Sequence, residues 1–128
     1  GRLGGRWRVG RTFLRGVPVC LVTTTGRRSG LPRTVPLLRL RDGDDVVIVA
    51  SQGGMPRHPD WYFNIVANPA VCIEDFGDDF DAVATVADAD TRARLWPRLV
   101  DMYPGFAMYQ ARADREIPVV VCRRQEAS

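Results

Sequence analysis

The chain has 128 residues and a formal net charge of +3, and all eighteen of its basic residues are arginine. Without a lysine there is no Schiff-base chemistry, no P-loop lysine and no lysine general base. A hydrophobic share of 45% and a charged share of 26% describe an ordinary globular chain rather than a disordered one. The charge is unevenly spread: residues 1–41 carry ten arginines and no acid, and residues 42–128 carry eight arginines and fifteen acids. The first third is therefore attracted to something anionic. No apolar run reaches the 18–20 or so residues that span a bilayer, and no signal peptide is visible. The chain starts at Gly1 rather than Met, as a trimmed segment would.

In chain order, residues 1–16 read as a basic, Gly-rich arm, residues 17–124 as a single domain, and residues 125–128 as a tail. VPVCLVTTT (17–25) has the β-branched content of a strand. RTVPLLRLRD (33–42) is a second strand, and Gly43-Asp44 turns it into DVVIVAS (45–51). These three form an antiparallel meander rather than a βαβ unit. Pro59 opens a short helix within HPDWYFNIVANP that Asn68-Pro69 ends, and residues 71–88 form another hairpin. Asp90 is the expected cap of a helix over 91–103 that Pro97 should kink or split. A helix over 105–115 and a closing strand over 116–124 complete an α+β protein on a small barrel, with about six strands and two to four short helices.

Cys20, Cys72 and Cys122 sit in apolar stretches without a CxxC pair, and read as buried free thiols of a reducing cytoplasm. With His58 as the only histidine, expected to be a surface loop residue, zinc and Cys–His schemes lack their parts, so no metal site is expected. The sharpest local signal is TTTGRRSGLPR (23–33), where a strand turns at Gly26 and presents Arg27, Arg28, Ser29, Gly30 and Arg33. Glycine lets backbone approach a ligand, turn N–H groups nest anions, and arginine forks grip phosphate or carboxylate. A solvated basic hairpin is the competing reading. ASQGG (50–54) runs a second strand into a double glycine, suited to a planar ligand or to a plain turn. Tyr103, Phe106 and Tyr109 share a helical face, either as core or as the wall of a pocket for a flat ring, with Tyr109 or Ser51 supplying a proton.

Taken together, TTTGRRSGLPRTVPLLRLRDGDDVVIVASQGG, HPDWYFNIVANP, RARLWPRLVDMYPGF and DREIPVVVC resemble the deazaflavin-dependent nitroreductase family over about residues 17–123. The resemblance implies a split β-barrel like that of FMN-binding proteins, often dimeric. It also implies hydride transfer from reduced coenzyme F420 to an electron-poor acceptor such as a quinone or nitroaromatic. F420 carries a phosphate and an oligoglutamate tail. By position, Gly26, Arg27, Arg28, Ser29 and Arg33 match the segment that holds the phosphate and nearby tail. Pro36, Ser51, Gln52, Gly53 and Gly54 match residues beside the cofactor, and Trp61 and Asn64 the WYxN motif near the cleft. Tyr103 and Tyr109 match aromatic residues on the substrate side, so the implied catalytic set is Tyr109, Ser51 and Tyr103. Gln52 replaces a frequent basic residue, Phe106 replaces a tyrosine of some nitroreductive members, and an upstream amphipathic segment is absent or truncated before Gly1.

Two alternatives stay open: FMN in the same fold, or a non-enzymatic basic module binding an anionic membrane or nucleic acid. The acidic remainder of the chain and the lack of a binding motif argue against nucleic acid. The expected setting is cytoplasmic, with attachment to the inner membrane face and a homodimer left open.

Overall fold

The computed structural model describes residues 13–14 and 16–125, so most of the expected N-terminal arm and residues 126–128 lie outside the described residues. The elements are β1 (Phe13–Leu14), β2 (Val17–Thr25), β3 (Pro32–Leu38), β4 (Leu40–Asp42) and β5 (Asp45–Val49). A 3-10 turn (Gln52–Gly54) and α1 (Asp60–Ala67) follow, then β6 (Ala70–Asp75) and β7 (Asp78–Val86). The chain continues through α2 (Ala89–Met102), α3 (Gly105–Arg112) and β8 (Val119–Arg124). All strand pairings are antiparallel, in the order β1-β2-β6-β7-β8-β5-β4, with β3 also pairing β2.

The expected continuous strand over 33–42 is two strands. β3 pairs β2 as far as Leu38, and after Arg39 alone the chain becomes β4 and pairs β5. One bent segment thus joins the two ends of the sheet and closes it into the split barrel. The bend is held by Asp75, a buried carboxylate at the end of β6. Its Oδ1 accepts from Arg39 Nε at 2.9 Å and its Oδ2 from Arg41 Nη1 at 2.7 Å. Arg41 also reaches Asp78, which Arg124 of β8 binds as well, and the Arg124 guanidinium lies 3.7 Å from the Phe80 ring centroid. These arginines hold the Asp78 carboxyl below the usual carboxylate range, Arg124 through its hydrogen bond contributing most. The charge of Asp75, unlike that of the half-exposed Asp78, is deeply buried, and such a charge is tolerated only when paired and hydrogen-bonded.

The patterning of β5 and β8 shows why their runs are apolar throughout rather than alternating. Val46 and Ile48, with Val120 and Cys122, point into the barrel beside Val22, Ile73 and Ala82. Their neighbours Val47, Val49, Val119 and Val121 face the opposite side and are covered by Leu95 and Leu99 of α2 and Phe106 of α3. Both faces are buried, so both must be hydrophobic. α1 adds Trp61 and Ile65 to the barrel interior.

Several local expectations are corrected. The cap of α2 is Asp88, whose Oδ1 accepts from Thr91 N at 2.8 Å, two residues before the expected Asp90. Pro97 does not split α2; it lies at an exposed position of one helix, on the side away from Leu95 and Leu99, so its ring does not disturb the packing. The last helix ends at Arg112 and the closing strand begins at Val119, because Gln110 takes the intervening segment: it accepts from Ile117 N and donates to the Arg115 carbonyl. Cys20 and Cys122 are buried, and burial pushes both thiols up to about 12. Cys72, by contrast, is exposed on the outer face, where its thiol donates to Asp81.

Asp75→Ala takes the closure's carboxylate from Arg39 and leaves Arg41 with Asp78 alone. We expect it to cost about 2–4 kcal/mol, the range for charge-assisted bonds that are mostly but not wholly shielded from water. Urea unfolding read by tryptophan fluorescence checks this, and an unchanged midpoint would show that the bend does not depend on Asp75.

Candidate active site

The loop between β2 and β3 is closed by backbone. Gly26 N donates to the Leu31 carbonyl at 2.8 Å, and Gly30 N to the Gly26 carbonyl at 2.8 Å. Gly30 takes a φ of +74°, a conformation glycine adopts without strain. A Cβ on Gly26 would stand 2.7 Å from Ser29 Oγ and 3.2 Å from the Leu31 carbonyl oxygen, so the loop is built around a missing side chain. Ser29 Oγ accepts from Leu31 N at 3.1 Å and from Arg33 Nη2 at 3.4 Å.

Asn64 of α1 anchors this loop to the barrel. The side chain is buried, donates through Nδ2 to Thr24 Oγ1 at 3.2 Å, and accepts at Oδ1 from both the backbone N and Nη1 of Arg27, each at 3.1 Å. Arg27 is committed elsewhere too: it donates to the Asp60 carbonyl, pairs with the Asp60 carboxylate at 3.6 Å and packs over Phe63. It therefore shapes the loop rather than projecting from it. Arg28 and Arg33 are exposed and meet no carboxylate among the described residues. Together with Arg57, Asp60, Pro32, Thr34 and Val35, this loop lines a cavity of about 810 Å³ whose wall carries four arginines and one aspartate.

A second cavity of about 420 Å³ is of different character. Its walls are Val19 of β2, Pro36, Leu37 and Leu38 of β3, Val49 of β5, Ser51, Gly53, and the rings of Tyr103, Phe106 and Tyr109. Tyr103 Oη and Tyr109 Oη are 3.1 Å apart, and Phe106 packs edge-on to Tyr103 with centroids 5.0 Å apart. Phe106 is itself buried. Gly54, at φ +80°, lies against α3 so closely that a Cβ would come within 2.9 Å of the Tyr109 carbonyl oxygen. Gln52 also has a positive φ, 45°. β3 is the wall the two cavities share, Pro32 to Val35 bordering the basic one and Pro36 to Leu38 the apolar one. Seven residues of strand extend over roughly 20 Å.

The structure thus gathers Gly26, Arg27, Arg28, Ser29, Arg33 and Asn64 at one cavity, and Pro36, Ser51, Gly53, Tyr103 and Tyr109 at the other. Gln52 and Gly54 belong to the turn that delivers Ser51 and Gly53, and Trp61 packs into the barrel core and lines neither cavity. Sequence reasoning missed Arg57, Asp60, and the apolar lining from Val19, Leu37, Leu38 and Val49. These strand residues carry no sign distinguishing a cavity wall from a core. It also missed Arg115, whose partners lie some sixty residues away: Nη1 donates to Ala50 O at 3.2 Å, Nη2 to Ser51 O at 2.8 Å and Nε to Met55 O at 3.1 Å. Nor is His58 a simple surface residue, for it is half-buried, lies tilted against Tyr62 with ring centroids 4.5 Å apart and touches Arg115.

Residues 2–124 match the model of the F420H(2)-dependent quinone reductase family. The chain belongs to that family. An F420H(2)-dependent quinone reductase of Mycobacterium tuberculosis is 40% identical over 126 residues, covering 95% of this chain and 84% of its own length. A second M. tuberculosis relative is 40% identical over 116 residues, which is 91% of this chain and 98% of its own. Among solved structures, an F420-H2 dependent reductase superposes with a TM-score of 0.78 at 42% identity, over 83% of this chain and 94% of its own. A domain-swapped dimer superposes with a TM-score of 0.79 at 38% identity, over 95% and 96%. A Listeria innocua structure described as a pyridoxamine 5′-phosphate oxidase shares the fold at 15% identity, with a TM-score of 0.61 over 84% of each chain. The family is one of oxidoreductases, in keeping with the resemblance read from the sequence. Among the described residues no helix is long and apolar enough to cross a membrane, and no cluster of His, Cys, Asp and Glu could hold a metal ion.

Asn64→Ala removes the link between β2, α1 and the loop, leaving the buried Thr24 hydroxyl and the Arg27 N–H without their partner. It should cost about 1–3 kcal/mol of stability. Thermal unfolding measures the loss, and hydrogen exchange at the Arg27 amide should accelerate in the same variant.

Proposed function

We propose that this chain is an F420H2-dependent reductase whose acceptor is a quinone or a similarly electron-poor molecule. One observation carries the reading: a cavity rich in arginine and an apolar, aromatic cavity share β3 as a wall. The donor set suits F420. Arg28 and Arg33, free of carboxylates among the described residues, and the Gly26–Leu31 turn fit a phosphate and an oligoglutamate tail. A 420 Å³ space walled by Pro36, Leu37, Val49 and three aromatic rings fits a flat ring system. Membership of the family favours the deazaflavin over FMN, and the M. tuberculosis relative's name supports a quinone as acceptor.

F420 in its reduced form supplies a hydride when bound. The chain binds, orients and excludes water. Arg28, Arg33 and Ser29 would hold the anionic end, Ser51 and Gly53 would lie beside the ring, and the apolar wall would keep water from the reacting face. An acceptor oxygen that gains electron density needs a donor and then a proton. The hydrogen-bonded Tyr103–Tyr109 pair at the cavity wall would supply both, with Tyr109 assigned as the proton donor and Ser51 as a second donor. The lining carries no charged side chain, which suits a neutral acceptor.

Arg28→Ala and Arg33→Ala should each weaken F420 binding by about 1–3 kcal/mol, measured by titration against cofactor fluorescence. If both bind with unchanged affinity, the anionic end does not lie in this cavity. Tyr109→Phe should lower kcat with a quinone by about a hundredfold while leaving F420 affinity nearly unchanged, and an undiminished kcat would remove Tyr109 from proton delivery.

A further inference from the structure

The turn that brings Ser51 and Gly53 to the apolar cavity has little of its own to hold it. Its internal hydrogen bonds are Gly54 N to the Ser51 carbonyl and Met55 N to the Gln52 carbonyl, and Gln52 and Gly53 both stand at positive φ. α3 contributes the packing of Gly54 against Tyr109 and one long bond from Arg112 Nη1 to the Gly53 carbonyl at 3.4 Å, and most of the remaining hold comes from the connection between α3 and β8. All three nitrogens of the Arg115 guanidinium donate into the Ala50–Met55 segment, each to a different carbonyl. Nη1 also lies 2.7 Å from Nδ1 of His58. A guanidinium is only a donor, so His58 must present an unprotonated Nδ1 to it.

We propose that Arg115 is the positioning residue of the active site, holding the Ser51–Gly54 turn in its cofactor-facing shape, and that it does so in full only while His58 is neutral. The inference rests on the proposed function for its consequence in catalysis, but not for its geometry. The groups facing His58 are few. Of α1, Tyr62 packs tilted against the ring at 4.5 Å and Phe63 edge-on at 5.8 Å, and Arg115 meets it from the other connection. The nearby Asp60 carboxylate is already paired with Arg57 and Arg27. A proton on His58 therefore places a second cation against Arg115 with no carboxylate among the described residues bonded to either, and one of the four contacts is lost. Burial, and then the Arg115 charge, hold the imidazole below its usual value, so the neutral form prevails at neutral pH. The sign follows: the folded chain resists a proton that the unfolded chain accepts, so the turn is fully held above about pH 6.5 and loosens as pH falls below that.

His58 is the only histidine, so its ring protons give a single titration curve by NMR. The test uses the full chain and no cofactor: ring titration of His58, and hydrogen-exchange protection of the Gly54 and Met55 amides, corrected for intrinsic rates, between about pH 5 and 8. In wild type, protection should fall as the His58 ring takes up its proton. His58→Asn, whose Oδ1 can accept from Arg115 but cannot be protonated, should keep the turn protected at every pH. Arg115→Gln should lose the protection throughout and raise the His58 midpoint toward 6.5. Circular dichroism identifies a variant that fails to fold, and the comparison of wild type with His58→Asn decides the question in that case. Identical pH dependence in those two, or a protected turn in a folded Arg115→Gln, overturns the proposal. In turnover with F420H2 and a quinone, Arg115→Gln should reduce kcat by about 10–100-fold, as a misplaced reacting face does. Loss of F420 binding by wild type itself would instead overturn the proposed function and leave the exchange result standing.

Discussion

Two arginines converge on one buried carboxylate where the sheet closes on itself, and the site depends on that closure. Arg39 stands between the strand segment paired with β2 and the one paired with β5, and Asp75 binds both Arg39 and Arg41. Because the same stretch of chain serves both edges, Pro36 to Leu38 are brought opposite Val49 and Ser51, and the apolar cavity exists between them. Desolvating a carboxylate is costly, and the cost is offset here only because each of its oxygens accepts from a guanidinium. The closure specifies register as much as stability: a slip of one residue would turn Arg39 out and Leu38 away from the cavity.

The uneven charge of the chain acquires a division of labour from this arrangement. Of the arginines in residues 1–41, Arg39 and Arg41 serve the barrel closure and Arg27 the anchoring of the loop. Arg28 and Arg33 are left facing an open cavity without a carboxylate partner among the described residues. Composition alone gives all of these the same meaning. What separates them is where acids stand in space, with Asp75 at the end of β6 and Asp60 at the start of α1 neutralising some and leaving others. Those acids come from the second part of the chain, so the acid-free first third and the acidic remainder are complementary halves of one electrostatic design.

Much of the fold was legible because it rests on local signals: β-branched runs, Gly43-Asp44, the helical spacing of Leu95 and Leu99, and Pro59 before α1. The turn from Gly26 to Leu31 was legible too, since close backbone packing demands glycine there. What escaped reading depends on partners far apart in sequence. The break at Arg39 follows from a carboxylate thirty-six residues away. The role of Arg115 follows from carbonyl groups that no side-chain pattern announces. Trp61 and Asn64 are three residues apart in one motif, yet one fills the core and the other ties the loop to β2, a distinction set by which helix face meets the barrel. The cap at Asp88 rather than Asp90 is the ordinary uncertainty of a helix start where three acidic or small residues stand in a row.

In the proposed reading one elongated molecule occupies both cavities along β3, anionic end toward Arg28 and Arg33 and flat ring toward Ser51 and the Tyr103–Tyr109 pair. Mapping backbone amide shifts by NMR while F420 is added tests it most directly. Perturbations should concentrate in residues 26–35 and, at the same ligand concentration, in residues 51–54 and the α3 face bearing Tyr109. Perturbation of only one of these two groups, or of the outer face of β6 and β7 around Cys72, would contradict it.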